Sequence, residues 1–412
     1  MKKCAMYIIA FILLFQESLE RIFKISVLGY TDELFILIWG IYTIIKCAKE
    51  KKVNKKSVVV FCGAIFYFFI GIYSGMRNSK FIVGQEVMSG ITFIKFFLII
   101  VLSLNYNWNE ESKGTVIDIL KKYGVIVLVF AIINLILQDH YYSIFSFALH
   151  TKRFGITAIT SLFYHPGYYG WFMLFISLIY YSELKQKKSK KIIIKVIIYY
   201  IFAILSLRTK VIVVGIFVIL LDLILDKKIN IKKVMVGIII VSTMFIAFNK
   251  FITYTYELYM STESEETARS ALKKNGRKIA REYFPIGVGF GKYGSSYAKK
   301  YYSEYYYKYN MNGIYGLSPE FSAFATDVFW PSVMGETGYA GVCIYGITLI
   351  YIAVNLFKKR KDQMTDLAIY AFLQTFCESF GGQSFVANPQ AIVVAIIIGI
   401  GLKKVQGSKK NG

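Results

Sequence analysis

Long apolar runs recur along this chain and are separated by shorter stretches rich in lysine. Runs of about 20 mostly apolar residues are long enough to cross a bilayer as α-helices, and lipid-exposed loops would leave backbone hydrogen bonds unmade. The pattern therefore predicts an all-α polytopic integral membrane protein. About twelve transmembrane segments are expected, approximately at 5–22, 31–46, 57–75, 88–104, 117–137, 166–183, 192–207, 211–226, 233–250, 332–356, 365–382 and 388–402.

The N-terminal apolar stretch is the weakest of these segments. Gln16, Glu17, Glu20 and Arg21 make its second half amphipathic. Its basic start and apolar run also resemble a signal peptide, but no A-x-A-like cleavage site follows. We therefore expect a retained first helix.

Composition supports a membrane protein. The chain has 412 residues, is 56% hydrophobic and has a mean hydropathy of +0.50, whereas soluble domains are about 45–50% apolar. The five cysteines lie in or beside apolar runs and show no C-x-x-C spacing, so we expect them to be packing residues.

The basic residues predict how the segments are oriented. The formal net charge is +24, but the lysines cluster in short loops between apolar runs, so we predict no nucleic-acid partner. With a cytoplasmic N-terminus, nearly every lysine cluster falls on the cytoplasmic side, as the positive-inside rule requires. Both termini are then cytoplasmic. The cytoplasmic loops are 46–56, 105–116, 185–191, 226–233, 358–361 and the tail at 403–410.

Two predicted external segments are long, at 138–165 and 251–331. The second carries 13 of the 33 tyrosines and nearly balanced charge, which is too aromatic for a disordered tail. We expect it to form a partly helical cap over the outer mouth of the helix bundle. The predicted organisation is therefore nine transmembrane helices in 1–250, the large external loop in 251–331, and helices ten to twelve with a basic tail in 332–412.

The large loop contains GFGKYG at 289–294, a match to the dinucleotide-binding pattern G-x-G-x-x-G. That pattern carries meaning only in a βαβ unit with an acidic residue further along, and neither is expected here. We therefore predict a turn in the cap. Its glycines expose backbone N–H groups that can bind an anion, and a plain turn remains the alternative.

Charged residues at membrane depth are costly and are functional candidates by default. Arg208 and Lys210 interrupt an apolar sequence at the predicted outer face, where a tight hairpin with two snorkelling cations is the alternative. Arg153 lies in the preceding external loop and suits a diphosphate, because its planar guanidinium binds two oxygens at once. His165 in the same loop is a candidate acid or base, or a helix-capping residue.

Further candidates lie around the large loop. Arg277 and Arg281 would share one face of a helix, and the alternative is a solvated face that pairs with Glu282 and the acidic run at 261–266. Asp327 and Glu336 flank the point where the chain re-enters the membrane. Either carboxylate is a candidate base for a sugar hydroxyl, or the counter-ion of an arginine.

No metal and no cofactor are predicted. The chain has three histidines, and they show no H-E-x-x-H motif or zinc-ligand spacing. No serine-centred nucleophile elbow is present in the sequence either.

Four features, taken in chain order, resemble the O-antigen polymerase/O-antigen ligase superfamily. They are Arg153 with Gly155, the Arg208–Lys210 corner, a long loop with P-I-G-V-G-F-G, and D-x(8)-E-x-G-x-x-G at 327–341. This superfamily includes Wzy-type polysaccharide polymerases. The resemblance covers about half of the chain, from 150 to 345, together with the overall topology.

The resemblance implies a glycosyltransferase at the outer face of the bacterial cytoplasmic membrane. Its substrate would be a glycan on undecaprenyl diphosphate, with arginines on the diphosphate, here Arg153, Arg208 and Arg281. A flippase and a chain-length regulator of the same pathway are possible partners. Ligases typically carry a histidine before E-x-G-x-x-G, and this chain has Asp327 and no histidine there. Ligase-like transfer is therefore the second interpretation and a lipid-linked oligosaccharide flippase the third.

Overall fold

The structure is a computed structural model that describes residues 2–153, 155–225, 267–359 and 362–403. Within these ranges the chain is mainly helical and contains almost no β-strand, which confirms the all-α prediction. One short antiparallel strand pair, Lys152–Arg153 (β1) with Ile156–Thr157 (β2), is the exception among the described residues. The helices are α1 Lys2–Phe23, α2 Thr31–Glu50, α3 Lys55–Asn78, α4 Val83–Asn105, α5 Glu110–Leu137, α6 Asp139–Ile144, α7 Pro166–Gln186, α8 Lys190–Ile204, α9 Thr209–Leu225, α10 Ala268–Glu282, α11 Ser296–Lys300, α12 Glu304–Lys308, α13 Trp330–Phe357, α14 Gln363–Glu378 and α15 Gln390–Leu402, with a 3₁₀-helix at Ser26–Tyr30.

Four helical segments in the described part of the chain are long and apolar enough to cross a membrane. They are Ser26–Glu50, α3, α4 and α13. Their presence fits an integral membrane protein. The prediction of about twelve spans is not matched.

The difference lies in helix length and polarity more than in helix position. Apart from 233–250, which lies outside the described residues, each predicted segment falls on a helix. However, α8, α14 and α15 have 15, 16 and 13 residues, which is short of a full bilayer crossing. Helix α1 departs from helical geometry at Phe15, where its polar half begins.

The turn at 289–294 fastens the large loop to helices α3 and α4. Phe290 inserts its ring between α3 and α4, with its centroid 5.9 Å from that of Phe93 and 5.6 Å from that of Tyr67. Gly71 and Gly90 make room for this ring, since a Cβ at either position would lie within 3 Å of it. The predicted turn is therefore an anchor that locks the cap to the bundle.

The part of the large loop that the structure describes, 267–329, has a small hydrophobic core of its own. Leu272 and Ile279 of α10 pack there with Tyr293, Tyr306 and Met311, all fully buried. Several tyrosines of YYSEYYYKYN thus serve packing within the cap. This explains how a segment with three short helices keeps a defined shape over the bundle.

Candidate functional site

A cavity of about 2460 Å³ lies between the cap and the membrane helices. Its walls come from the α1–α2 connection, the first turns of α7 and α9, one face of α10, and the loop at 380–390. Thirteen lysines and arginines line it against four acidic residues, so the cavity is strongly electropositive. The basic residues are Arg21, Lys95, Arg153, Arg208, Lys210, Arg269, Lys273, Lys274, Arg277, Lys278, Arg281, Lys299 and Lys300.

Seven of the eight residues singled out from the sequence line this one cavity. They are Arg153, His165, Arg208, Lys210, Arg277, Arg281 and Asp327. They come from four separate parts of the chain, so folding alone brings them together. Glu336 is not among the lining residues.

The Arg208–Lys210 corner is a tight connection between α8 and α9. The backbone carbonyl of Leu207 accepts a hydrogen bond from Arg153 Nη1 at 3.2 Å, and Arg208 Nη2 lies 3.4 Å from His165 Nε2. Lys210 Nζ lies 3.4 Å from the buried carboxylate of Glu378. The corner is thus both a hairpin, as the alternative interpretation held, and a group of cations that faces the cavity.

His165 caps helix α7. Its Nδ1 accepts a hydrogen bond from the backbone N–H of Gly167 at 2.9 Å, so the hydrogen of the neutral ring belongs on Nε2. Burial lowers the pKa of His165 to about 3, and the positive charges of Arg208, Lys210 and Arg153 contribute to this shift. The ring is therefore neutral near pH 7. It is arranged to donate a hydrogen bond to an anion in the cavity rather than to act as a base.

Stability should fall in acid because of His165. A folded-state pKa of about 3 lies below the unfolded value of about 6.5, so the unfolded chain binds the extra proton as pH drops. The free energy of unfolding therefore keeps its full value above about pH 6.5 and declines below it, by up to about 1.4 kcal/mol per pH unit. His165→Asn keeps a capping acceptor and does not titrate. Thermal unfolding of the purified protein between about pH 7.5 and pH 5 should therefore drop less steeply in this variant.

The matched control is His140→Asn, which changes an exposed histidine away from the cavity. It should follow the wild-type pH curve. An identical acid loss in wild type and His165→Asn would show that His165 does not remain neutral in the folded state.

Helix α10 presents a basic face to the cavity. Ala271, Leu272 and Ile279 bury one side, while Arg277 and Arg281 lie one turn apart on the other. Within the described ranges, neither arginine has a hydrogen bond or an ion pair. Glu282, the expected partner, instead accepts from Lys308 Nζ at 2.5 Å. The acidic run at 261–266 lies outside the described residues.

Asp327 is paired. Arg269 of α10 donates to its Oδ2 from Nε at 3.1 Å and from Nη2 at 2.9 Å. This arrangement matches the counter-ion interpretation of Asp327. As it stands, the carboxylate fixes Arg269 at the cavity wall, and accepting a proton would weaken that ion pair.

Glu336 is fully buried and holds the glycine-rich turn. Its Oε1 accepts hydrogen bonds from the backbone N–H groups of Lys292 and Tyr293, at 2.9 and 3.0 Å, and from Ser295 Oγ at 2.6 Å. The predicted turn with exposed backbone N–H groups therefore exists, but these groups donate to the Glu336 carboxyl group of the protein itself. Because Glu336 lies away from the cavity, this geometry favours an anchoring role over that of a base.

The two glycine-containing motifs pack against each other. Gly289 N donates to Glu336 O at 2.8 Å, and Ala340 N donates to Pro285 O at 3.0 Å. Gly338 has φ +62°, and a Cβ there would lie 2.2 Å from Pro285 O. P-I-G-V-G-F-G and E-x-G-x-x-G thus form one clamp between the cap and α13, and glycine is required for the close backbone approach.

Two buried charge networks beside the cavity were missed from the sequence. Lys95 Nζ donates to Asp32 at 2.7 Å, and Gln16 donates to the other oxygen of the same carboxylate at 2.8 Å. Glu378, the partner of Lys210, is the second. In each case the available sign was a charged residue inside or at the end of an apolar run.

The described residues contain no group of three or more potential ligands that could hold a metal ion. The chain matches no protein-family model, and no characterised protein is significantly similar to it in sequence. The superfamily resemblance therefore rests on the motifs themselves.

Proposed function

We propose that this protein is a Wzy-type polysaccharide polymerase of the bacterial cytoplasmic membrane. In this role it transfers a growing glycan from undecaprenyl diphosphate onto a sugar hydroxyl of an incoming lipid-linked repeat unit. The observation that carries the proposal is a single cavity with a cationic wall and an apolar wall that meet at the Arg208–Lys210 corner.

The apolar wall is one face of α9. Directly after the corner, side chains at intervals of one helical turn line the cavity, namely Ile212, Val213, Ile216, Phe217 and Leu220. A ligand with an anionic head and a long hydrocarbon chain would find both of its parts matched. A lipid-linked diphosphate has this chemistry, and a free nucleotide or sugar phosphate does not.

For this glycosyl transfer the protein needs mainly to bind and orient the two substrates. The acceptor hydroxyl oxygen bonds to the anomeric carbon while the bond from that carbon to the diphosphate oxygen breaks. The diphosphate leaves with the electron pair, and the hydroxyl proton passes to a base. Arginines that hold the diphosphate stabilise the charge that develops on it, and the cavity walls bring the two substrates together.

The proposed site faces outward, and this orientation is directly testable. In a variant whose five cysteines are replaced by alanine, Lys300→Cys should react with a membrane-impermeant thiol reagent in intact cells. Lys188→Cys is the matched position, since both lysines are exposed on the surface but lie on opposite predicted sides. It should react only after the cells are broken. The reverse labelling pattern would overturn the orientation and the proposed location of the site.

The function is tested by the size profile of the surface polysaccharide in a strain that lacks this chain. A polymerase predicts single repeat units in place of a ladder of lengths. Full-length polymer that stays on the lipid carrier would instead indicate a ligase. Loss of all exported glycan would indicate a flippase.

A further inference from the structure

Three aromatic side chains form an exposed cluster on the cap. Tyr315, Phe321 and Phe324 are 74%, 42% and 36% exposed. Their ring centroids lie 5.1 Å apart for Tyr315 and Phe321, 5.9 Å for Tyr315 and Phe324, and 6.0 Å for Phe321 and Phe324. We call these three residues the aromatic platform. Exposed apolar side chains that are grouped into a patch mark interaction sites, whereas singly scattered ones need no explanation.

The backbone holds the platform rigidly. Phe324 N donates to Gly316 O at 2.9 Å, and Tyr302 Oη donates to Leu317 O at 2.8 Å. Gly316 has φ +84°, and a Cβ there would lie 2.0 Å from the Phe324 ring. The rings are therefore arranged before any ligand arrives, which lowers the entropic cost of binding.

The platform continues the cavity outward. Phe321 and Phe324 line the cavity together with Asp327, whereas Tyr315 lies beyond the lining. The cluster therefore extends from the cavity lining onto the exposed surface of the cap. A long ligand whose reacting end lies in the cavity would pass over these rings.

A glycan suits this position better than the bilayer does. Glu320 is exposed directly before Phe321, and a carboxylate there would be costly to place in hydrocarbon. The neighbouring wall of the cavity is polar and charged. The apolar C–H face of a sugar ring stacks on an aromatic ring while its hydroxyl groups stay in contact with water and polar groups.

We propose that Tyr315, Phe321 and Phe324 bind the sugar rings of the polymer itself and keep a growing chain at the cavity between transfer steps. The proposal rests on the polymerase function. It adds a polymer-binding site and a role in chain length, distinct from the site that holds the diphosphate.

The test uses full-length protein in detergent and short lipid-free fragments of the host's surface polysaccharide as the probe. Binding is measured by saturation-transfer NMR. The double variant Tyr315→Ala/Phe321→Ala should bind the fragments roughly tenfold more weakly or worse, since two stacking contacts are lost. In cells, the same variant should give a ladder shifted to shorter chains, with the first transfer products still present.

The matched control is Tyr307→Ala, which removes another exposed cap tyrosine, 52% exposed and outside the cavity. It should keep wild-type binding and chain length. Tyr315→Phe/Phe321→Tyr retains both rings and should also behave as wild type. If the double alanine variant is poorly folded, Tyr315→Ala alone carries the test.

The outcomes separate this proposal from the polymerase function. If the double alanine variant binds the fragments as well as Tyr307→Ala does, or if the wild type does not bind them, the proposed role of the platform is wrong. Binding that depends on the platform, in a protein whose deletion leaves the ladder intact, would support the platform and overturn the polymerase function.

Discussion

Replacing Arg208 or Arg281 with alanine is expected to stop chain elongation while single repeat units still appear outside the cell. Both arginines line the cavity, one at the end of the apolar α9 face and one on the basic face of α10. Loss of one donor that stabilises the charge on a leaving group typically costs about 100-fold or more in rate. Gel profiles of the surface polysaccharide should therefore show the ladder collapse to its lowest band.

Arg77→Ala is the matched control for these variants. Arg77 is exposed near the end of α3 and does not line the cavity, so its removal should leave the ladder intact. Arg208→Lys keeps the charge but loses the planar guanidinium, and we expect partial elongation. A normal ladder in both alanine variants would contradict the assigned site. Single units that accumulate inside the cell would indicate export instead of polymerisation.

The positions of the helices were predictable because apolar runs and basic loops mark them directly. The number of complete membrane crossings was not, because several predicted segments, such as 192–207 and 388–402, are themselves shorter than a full crossing of about 20 residues. Helix α15 starts at Gln390, directly after Pro389, and its 13 residues cover nearly all of the predicted segment 388–402. Helix α1 bends at Phe15 beside the polar residues that made its segment the weakest.

The candidate site was predictable for its cations and less so for its carboxylates. An arginine within an apolar sequence has few explanations, and Arg208 does line the cavity. The role of a carboxylate depends on the group that it pairs with, and the sequence does not reveal that group. Asp327 pairs with Arg269, 58 residues away, and Glu378 with Lys210 across a still longer separation.

Among the candidate bases, Glu336 offers the sharpest test of whether a carboxyl group takes part in the chemistry. In the structure its Oε1 accepts three hydrogen bonds and joins the glycine-rich turn to α13. Glutamine retains an acceptor oxygen at this position but is not a base. Alanine removes the oxygen that accepts from the Lys292 N–H, the Tyr293 N–H and the Ser295 hydroxyl.

We therefore expect Glu336→Gln to elongate polysaccharide nearly as well as wild type, and Glu336→Ala to lose both stability and elongation. Each unsatisfied buried donor costs about 1–3 kcal/mol, so the alanine variant should lose roughly 3 kcal/mol or more. Thermal unfolding of the purified proteins and the ladder from cells are measured side by side. A base would give the opposite pattern, in which Glu336→Gln abolishes elongation at an unchanged unfolding temperature. That result would show that Glu336 acts as the base, and that substrate binding opens the clamp between the cap and α13.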